Sequence, residues 1–431
     1  MKSVESIIVN KNKQLKGIIY PPGDKSISHR AIILGSLARG KSKVSNFCPG
    51  DDTLNTLKAF QSLGITIEGS GTEYTIWGKG LKGLQEPSDI IDAGNSGTTT
   101  RLLTGLLGGQ NFFSIITGDA SLRKRPMKRV TEPLRAMGAK IDGREGGDCA
   151  PLAIRGGNLR SITYRTPVAS AQIKSAILLA GLYADGVTEV IEPVLSRDHT
   201  ERMLKALGAH VETKNTMVRI QGFSELEAFS LFVPGDISSA AFFVVGGAII
   251  PDSEVIIRDV GINPLRTGIL DVLKNMGADI RIGEIKEEGG EERADIIVKS
   301  SLLKGVEVSG DLIPRTIDEL PLLAVAASQA DGTTIIRDAK ELRVKETDRI
   351  KAMAEGLRRF GVQVEEFEDG MAITGPQKLK GTRVSSYGDH RVAMAFIIAG
   401  LTASGETIVE DTAPIATSFP NFMELLDSLS Q

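Results

Sequence analysis

Apolar and polar positions follow one pattern five times along the chain. A Leu opens a short amphipathic stretch, an apolar residue precedes a Gly, and period-two alternation follows. The copies read LKAFQSLGITIE, LRAMGAKID, LKALGAHVE, LKNMGADIRI and LRRFGVQVE, with glycines at Gly64, Gly138, Gly208, Gly277 and Gly361. They recur every 69 to 84 residues, and FMELLDSL near the C-terminus is a degenerate sixth copy. Each predicts a short helix with one apolar face, ended by a Gly able to take positive φ, then a half-buried strand.

A second phrase alternates with the first: a polar, Gly- or Ser-rich turn that opens a nearly all-apolar run. Its copies are GDKSISHRAIILGSL, GNSGTTTRLLTGLL, PVASAQIKSAILLAGL, GDISSAAFFVVGGAI, IDELPLLAVAAS and GDHRVAMAFIIAGL, starting near Ser26, Gly97, Ala171, Ile237, Asp318 and His390. In the first, Ile27, Ala31, Leu34 and Ala38 fall at helical spacing, while Ile32, Ile33 and Leu37 cover much of the remaining circumference. A helix apolar all round belongs inside a domain. Its polar start offers unpaired N–H groups and a positive dipole end, so six such starts facing one cleft would attract anions. The repeating unit is therefore strand, apolar helix, strand, amphipathic helix, strand, strand. Six βαβαββ units make two domains of three, an α/β (α+β) fold.

Composition narrows the function. The length, 431 residues, exceeds one ordinary core, and 41% hydrophobic with 24% charged residues is a globular balance. A net charge of −3 and 5% aromatic residues argue against a nucleic-acid surface built on stacking rings, so any anion site must gather its cations locally. Two distant cysteines, Cys48 and Cys149, give neither a disulfide framework nor a zinc site and point to a reducing compartment. MKSVESIIVNKNKQLKG lacks the apolar core of a signal peptide, and no stretch approaches a membrane span, so a cytoplasmic protein without membrane partner is expected.

Chemistry-bearing residues gather at the polar turns. Lys25 and Arg30 flank the first helix start, although GxxxxGK[ST] spacing is absent, so this is not a P-loop. Asn95, Gly97 and Arg101 mark the second, which also reads as an ordinary capped start. The run Arg123–Arg129 holds five basic residues in seven; a solvated loop, a nucleic-acid patch and a loop closing on a small anion all fit it, the last best. Arg343–Arg349 alternates in charge, either as a solvated face or as a carboxylate among cations that controls proton transfer. Asp318 and Asp236 read as helix N-caps or as site acids, and the His390 of Asp389-His390-Arg391 more readily as structural than as catalytic.

Together and in this order, GDKSISHR, NSGTTTRLL, SLRKRPM, SAQIKSA, SRDHTERM, GDISSA, ELRVKETDR, GDHRVAM and IATSFP resemble the enolpyruvyl transferase family over the whole chain, and its branch that uses shikimate 3-phosphate. The resemblance implies a two-domain inside-out α/β barrel. Domain one would be 1–22 plus 234–431, domain two 23–233, with the active site in the interdomain cleft. It implies transfer of the enolpyruvyl group of phosphoenolpyruvate to the 5-hydroxyl of shikimate 3-phosphate, the sixth shikimate-pathway step, through a tetrahedral intermediate not bonded to the protein. It implies no metal, no organic cofactor and no nucleic acid; a monomer is expected, because a site within one chain needs no partner.

Carried over position by position, Lys25, Ser26, Arg30, Ser170, Gln172, Ser196, Arg197, Asp318 and Lys345 match the shikimate 3-phosphate contacts. Lys25, Asn95, Gly97, Arg125, Gln172, Arg349 and Arg391 match the phosphoenolpyruvate pocket. Asp318, Glu346 and Lys25 match the catalytic centre, Asp318 as base toward the hydroxyl and Glu346 with Lys25 for the proton at the methylene. Two positions depart from the family pattern: no Lys stands near Thr417, where many members carry one that contacts phosphoenolpyruvate, and His199 stands where many have Tyr. Family members with Gly at the position of Gly97 usually leave room for glyphosate, so the resemblance implies sensitivity. Two alternatives stay open: transfer to UDP-N-acetylglucosamine, whose enzymes usually carry a cysteine absent here from 110–130, and a non-catalytic anion-binding module.

Overall fold

The computed structural model describes residues 6–430. The chain divides into two compact units. The middle unit holds 23–234 with 287–291; the flanking unit holds the residues up to Pro22, 235–286 and the chain from Glu292 onward. The sequence reading leaves Pro234 and 287–291 with the flanks. They pack with the middle unit instead, where Glu288 accepts from the Phe232 N–H at 2.9 Å and Glu291 pairs with His199 at 2.8 Å.

The middle unit contains α1 (Lys25–Leu37), α2 (Asp51–Ser62), α3 (Gly97–Gly108), α4 (Lys128–Met137), α5 (Ala171–Gly181) and α6 (His199–Ala206). They alternate with strands of three four-stranded sheets built to one plan. In the second sheet Ile91–Asp92 runs parallel to Phe113–Thr117, which pairs antiparallel with Cys149–Arg155, which pairs antiparallel with Lys140–Arg144. The third repeats this with Thr163–Arg165, Val187–Ile191, Met217–Gln221 and Val211–Lys214. Parallel neighbours cannot be joined by a hairpin, so α3 and α5 are the crossovers the pairing requires. The first sheet borrows its first strand: Ser230–Phe232 lies parallel to Arg39–Ser45.

The flanking unit contains α7 (Ile237–Ile249), α8 (Gly268–Asn275), α9 (Leu312–Thr316), α10 (Leu320–Ser328), α11 (Arg349–Arg359), α12 (His390–Gly400) and α13 (Phe422–Leu429). Its first sheet is also completed from far along the chain, by Lys16–Ile19 parallel to Glu254–Gly261. Its second, Glu307–Val308, Gly332–Ile336, Gly370–Gly375 and Gln363–Phe367, follows the plan unaided. Its third has three strands. Arg383–Ser385 lies parallel to Thr407–Glu410, and the N-terminal Ser6–Val9 takes the antiparallel place that a following strand would occupy.

The two helix classes behave as their patterns demand. In α7 every residue from Ile237 to Ala248 is buried, and in α10 every residue. In α4 one face is buried, Val130, Thr131, Pro133, Leu134 and Met137, at i, i+3/i+4 spacing. Burying a side chain such as Leu134 contributes about 1.5–3 kcal/mol. All five repeat glycines sit at positive φ, Gly138 at 110° and Gly277 at 96°. A Cβ there would strain the turn that takes the chain from helix to strand.

Candidate active site

The residues singled out by the sequence fall into two clusters, one in each unit. In the middle unit Asp24 caps α1 by accepting from the Ile27 N–H at 2.9 Å. Lys25, the first helical residue, pairs with Asp52 Oδ2 at 3.1 Å. Arg30, a turn further on, is 4% exposed. It donates to Ser26 O (2.9 Å), Thr200 Oγ1 (2.7 Å) and Ser175 Oγ (2.9 Å), which ties α1 to α5 and α6. Burial pulls the Arg30 pKa below its ordinary value, against the opposing pull of Glu201, Asp24 and Glu291.

At the start of α3, Ser96 accepts from the Thr99 N–H at 3.1 Å. The exposed Asn95 side chain accepts from Arg125 Nη2 and donates to Asp119 Oδ2, each at 2.6 Å. Asp119 lies below the carboxylate range: burial opposes this, but the Asn95 amide and the N–H groups of Leu122 and Ser121 outweigh it. Arg125 is thus aimed from the basic loop, beside Gly97, where a Cβ would come within 3.3 Å of its Nη1 and 2.7 Å of Arg101 Nη1. Arg101 donates to Gln172 Oε1 at 2.7 Å, and Gln172 Nε2 donates to Thr98 Oγ1 at 3.0 Å. Ser170 is the N-cap of α5. Ser196 is buried in the turn before α6, with Arg197 half-buried after it.

In the flanking unit the cluster surrounds Arg349, the first residue of α11 and 1% exposed. Its Nε donates to Asp389 Oδ2 at 2.8 Å, its Nη2 to Glu346 Oε2 at 2.6 Å, and its Nη1 lies 3.5 Å from Asp318 Oδ1. Burial alone would lower its pKa; Glu346, Asp389 and Asp318 raise it instead, so this cation stays charged. Arg391, in the first turn of α12, donates to Asp318 O at 3.2 Å and lies 3.6 Å from Asp318 Oδ2. Lys345 is exposed in the turn before α11.

The N-cap reading of Asp318 fails. The helix begins at Leu320, with Pro321 in its first turn and Glu319 at the cap position. Pro is pre-set for a first turn, and with Pro321 there the cap falls one residue later, at Glu319. The Asp318 carboxylate instead faces three guanidinium groups, the third being Arg266 at 3.8 Å. Arg266 also reaches Asp236 Oδ1 at 3.1 Å and Ser238 Oγ at 2.9 Å. The expected unpaired helix starts are also partly used internally: Asp24, Ser96, Ser170, Asp236 and Asp389 each cap their own helix.

Sequence reading missed Arg266, Asp119, Lys174 and Glu192. Only Lys174 carried a local signal, as the lone cation of an otherwise apolar helix. At the departing positions, Thr417 folds its hydroxyl back onto Pro414 O (2.7 Å), and His199 is buried against Glu291. Among the described residues no group of three His, Cys, Asp or Glu is arranged to hold a metal ion, and no helix is long and apolar enough to cross a membrane.

Comparison with known proteins bears on what these clusters serve. A sequence model described as EPSP synthase (3-phosphoshikimate 1-carboxyvinyltransferase) matches residues 9–426. The 3-phosphoshikimate 1-carboxyvinyltransferase of Geotalea daltonii is 59% identical over 97% of both chains. That of Citrifermentans bemidjiense is 57% identical over 99% of this chain and all of its own. The solved EPSP synthase of Acinetobacter baumannii superposes with a TM-score of 0.92 at 46% identity, covering 99% of this chain and 98% of that one. Sequence, order of motifs and fold agree, and the chain belongs to the EPSP synthase (3-phosphoshikimate 1-carboxyvinyltransferase) family.

Proposed function

We infer that this protein transfers the 1-carboxyvinyl group of phosphoenolpyruvate to the 5-hydroxyl of shikimate 3-phosphate, releasing inorganic phosphate, within the shikimate pathway toward aromatic amino acids. The observation that carries the reading is the family match over 9–426 with relatives at 59% and 57% identity, spanning every residue of both clusters. The chemistry of the clusters supports it. The two substrates bring two carboxylates and two phosphates, whose mutual repulsion in a dry site is prohibitive without cations. Lys25, Arg30, Arg125, Lys345, Arg349 and Arg391 supply them, the arginines as bidentate clamps.

In this reading Asn95, Gly97, Arg125, Arg349 and Arg391 serve phosphoenolpyruvate, and Ser26, Arg30, Ser170, Ser196 and Arg197 serve shikimate 3-phosphate. Lys25 and Gln172 border both. Asp318 takes the proton of the 5-hydroxyl as that oxygen bonds to the central carbon. Glu346, with Lys25, delivers a proton to the methylene carbon. The resulting adduct then expels phosphate and loses a methyl proton, which restores the double bond in the product. The Asp318 carboxylate lies 3.5–3.8 Å from nitrogens of Arg266, Arg349 and Arg391, the last two among the cations that would hold the substrates.

The reading includes a monomer acting in the cytoplasm; Cys48 and Cys149 are buried free thiols, as a reducing compartment permits. Phosphate release from phosphoenolpyruvate tests the activity, with shikimate 3-phosphate and UDP-N-acetylglucosamine as rival acceptors. Release with shikimate 3-phosphate alone is expected; release with the nucleotide sugar alone overturns the substrate.

A further inference from the structure

A buried ionic cluster lies behind the acceptor residues of the middle unit. Lys174, on α5, is 1% exposed, and Glu192 and Glu201 are equally hidden. The three ammonium hydrogens have three acceptors: Glu192 Oε2 at 2.7 Å, Glu201 Oε1 at 2.8 Å and the Ser196 carbonyl at 3.3 Å. Glu192 in turn accepts from the Ser196 N–H at 3.3 Å and from the Ser196 hydroxyl at 2.5 Å. Every polar atom of Ser196 is therefore held by this pair. Burial lifts the Glu201 pKa, with Lys174 opposing, while both glutamates outweigh burial at Lys174 and keep it protonated.

We propose that Glu192, anchored by Lys174, is the positioning residue that sets acceptor affinity by orienting Ser196. A serine hydroxyl has one hydrogen to give. Here it is given to Glu192, so Ser196 presents lone pairs and takes its ligand hydrogen bond from an acceptor hydroxyl or a protonated phosphate oxygen. The cluster is costly to bury and is weak as a source of stability, since well-packed apolar groups would serve as well. Its consequence is geometric: one turn of chain is held at a fixed rotamer against the helix that carries Gln172. The inference rests on the reading of Ser196 as an acceptor contact.

The test is steady-state kinetics of Glu192→Gln, Ser196→Ala and the double variant. Each single variant is expected to raise KM for shikimate 3-phosphate about tenfold, with KM for phosphoenolpyruvate and kcat within about threefold. The double variant is expected to match the singles, because the two residues act as one unit. Multiplicative effects, near a hundredfold, or an equal rise in both KM values overturn the proposal. Should Glu192→Gln fail to fold, Lys174→Met combined with Glu192→Leu and Glu201→Gln removes all three buried charges without leaving a carboxylate unpaired, and the same selective rise is expected. Wild-type protein that releases no phosphate with this acceptor overturns the activity and the proposal together; normal wild-type turnover with unchanged acceptor KM in the variants overturns the proposal alone.

Discussion

Arg349 and Asp389 form a buried pair, Nε to Oδ2 at 2.8 Å, with 2% and 0% of their side chains exposed. The contact joins the first residue of α11 to the N-cap of α12, where Asp389 also accepts from the Arg391 N–H at 2.9 Å. One carboxylate thus holds the Arg349 guanidinium and the backbone N–H of Arg391, the two arginines proposed to serve phosphoenolpyruvate from the flanking unit.

Removing that carboxylate leaves a buried guanidinium short of charge. Breaking a buried pair from one side costs about 3–5 kcal/mol. Asp389→Ala is expected near the lower end, about 3 kcal/mol, because Glu346 and Asp318 still face Arg349. Urea unfolding of the ligand-free protein measures it. A change below about 1 kcal/mol would mean the pair adds nothing beyond its own desolvation.

Asp318 faces Arg266, Arg349 and Arg391 and does not cap its helix. Asp318→Ala is expected to lower kcat by about a hundredfold or more, the range for loss of a positioned general base. The fold should persist, with circular dichroism unchanged. Undiminished turnover would remove Asp318 from the chemistry.

Gly97→Ala places a methyl group 2.7 Å from Arg101 Nη1 and 3.3 Å from Arg125 Nη1. Arg101 must then swing from Gln172, and Arg125 shift. A raised KM for phosphoenolpyruvate and weaker inhibition by glyphosate are expected together, read from inhibition curves at fixed phosphoenolpyruvate. Unaltered inhibition would show that the methyl is accommodated.

His29 gives a pH dependence with a definite sign. It is fully buried, its Nδ1 2.7 Å from Thr56 Oγ1, and burial lowers its pKa from 6.5 to about 3. Between these values the unfolded chain binds the proton and the folded chain does not, so stability is full above pH 6.5 and is lost as pH falls toward 3. At pH 5 the loss from this group is about 2 kcal/mol. His29→Gln is expected to reduce the difference in unfolding free energy between pH 7 and pH 5 by about that amount. An unchanged difference would assign the acid sensitivity to other groups.

The same separation between local and distant information runs through the fold. The left-handed glycines at Gly64, Gly138, Gly208, Gly277 and Gly361, and the buried helices α7 and α10, were legible because each depends on a few neighbouring residues. The borrowed strands Ser230–Phe232 and Lys16–Ile19 were not, since nothing local marks which sheet a short strand joins. For Asp318 the sequence left a helix cap open beside a site acid, because an acid before an apolar run is often a cap. Pro321 moved the helix start and released the carboxylate to its arginines.

By itself, then, the sequence determined the repeating unit, the class of each helix and the stretches that carry chemistry, because side-chain periodicity and turn residues act over a single turn or strand. Only the tertiary structure decided which charges are paired. Arg266 with Asp236, Lys174 with Glu192 and Arg349 with Asp389 are separated by between 18 and 40 positions. An isolated charge carries no mark of its partner; the pairing is imposed when buried ions must be matched as water is excluded.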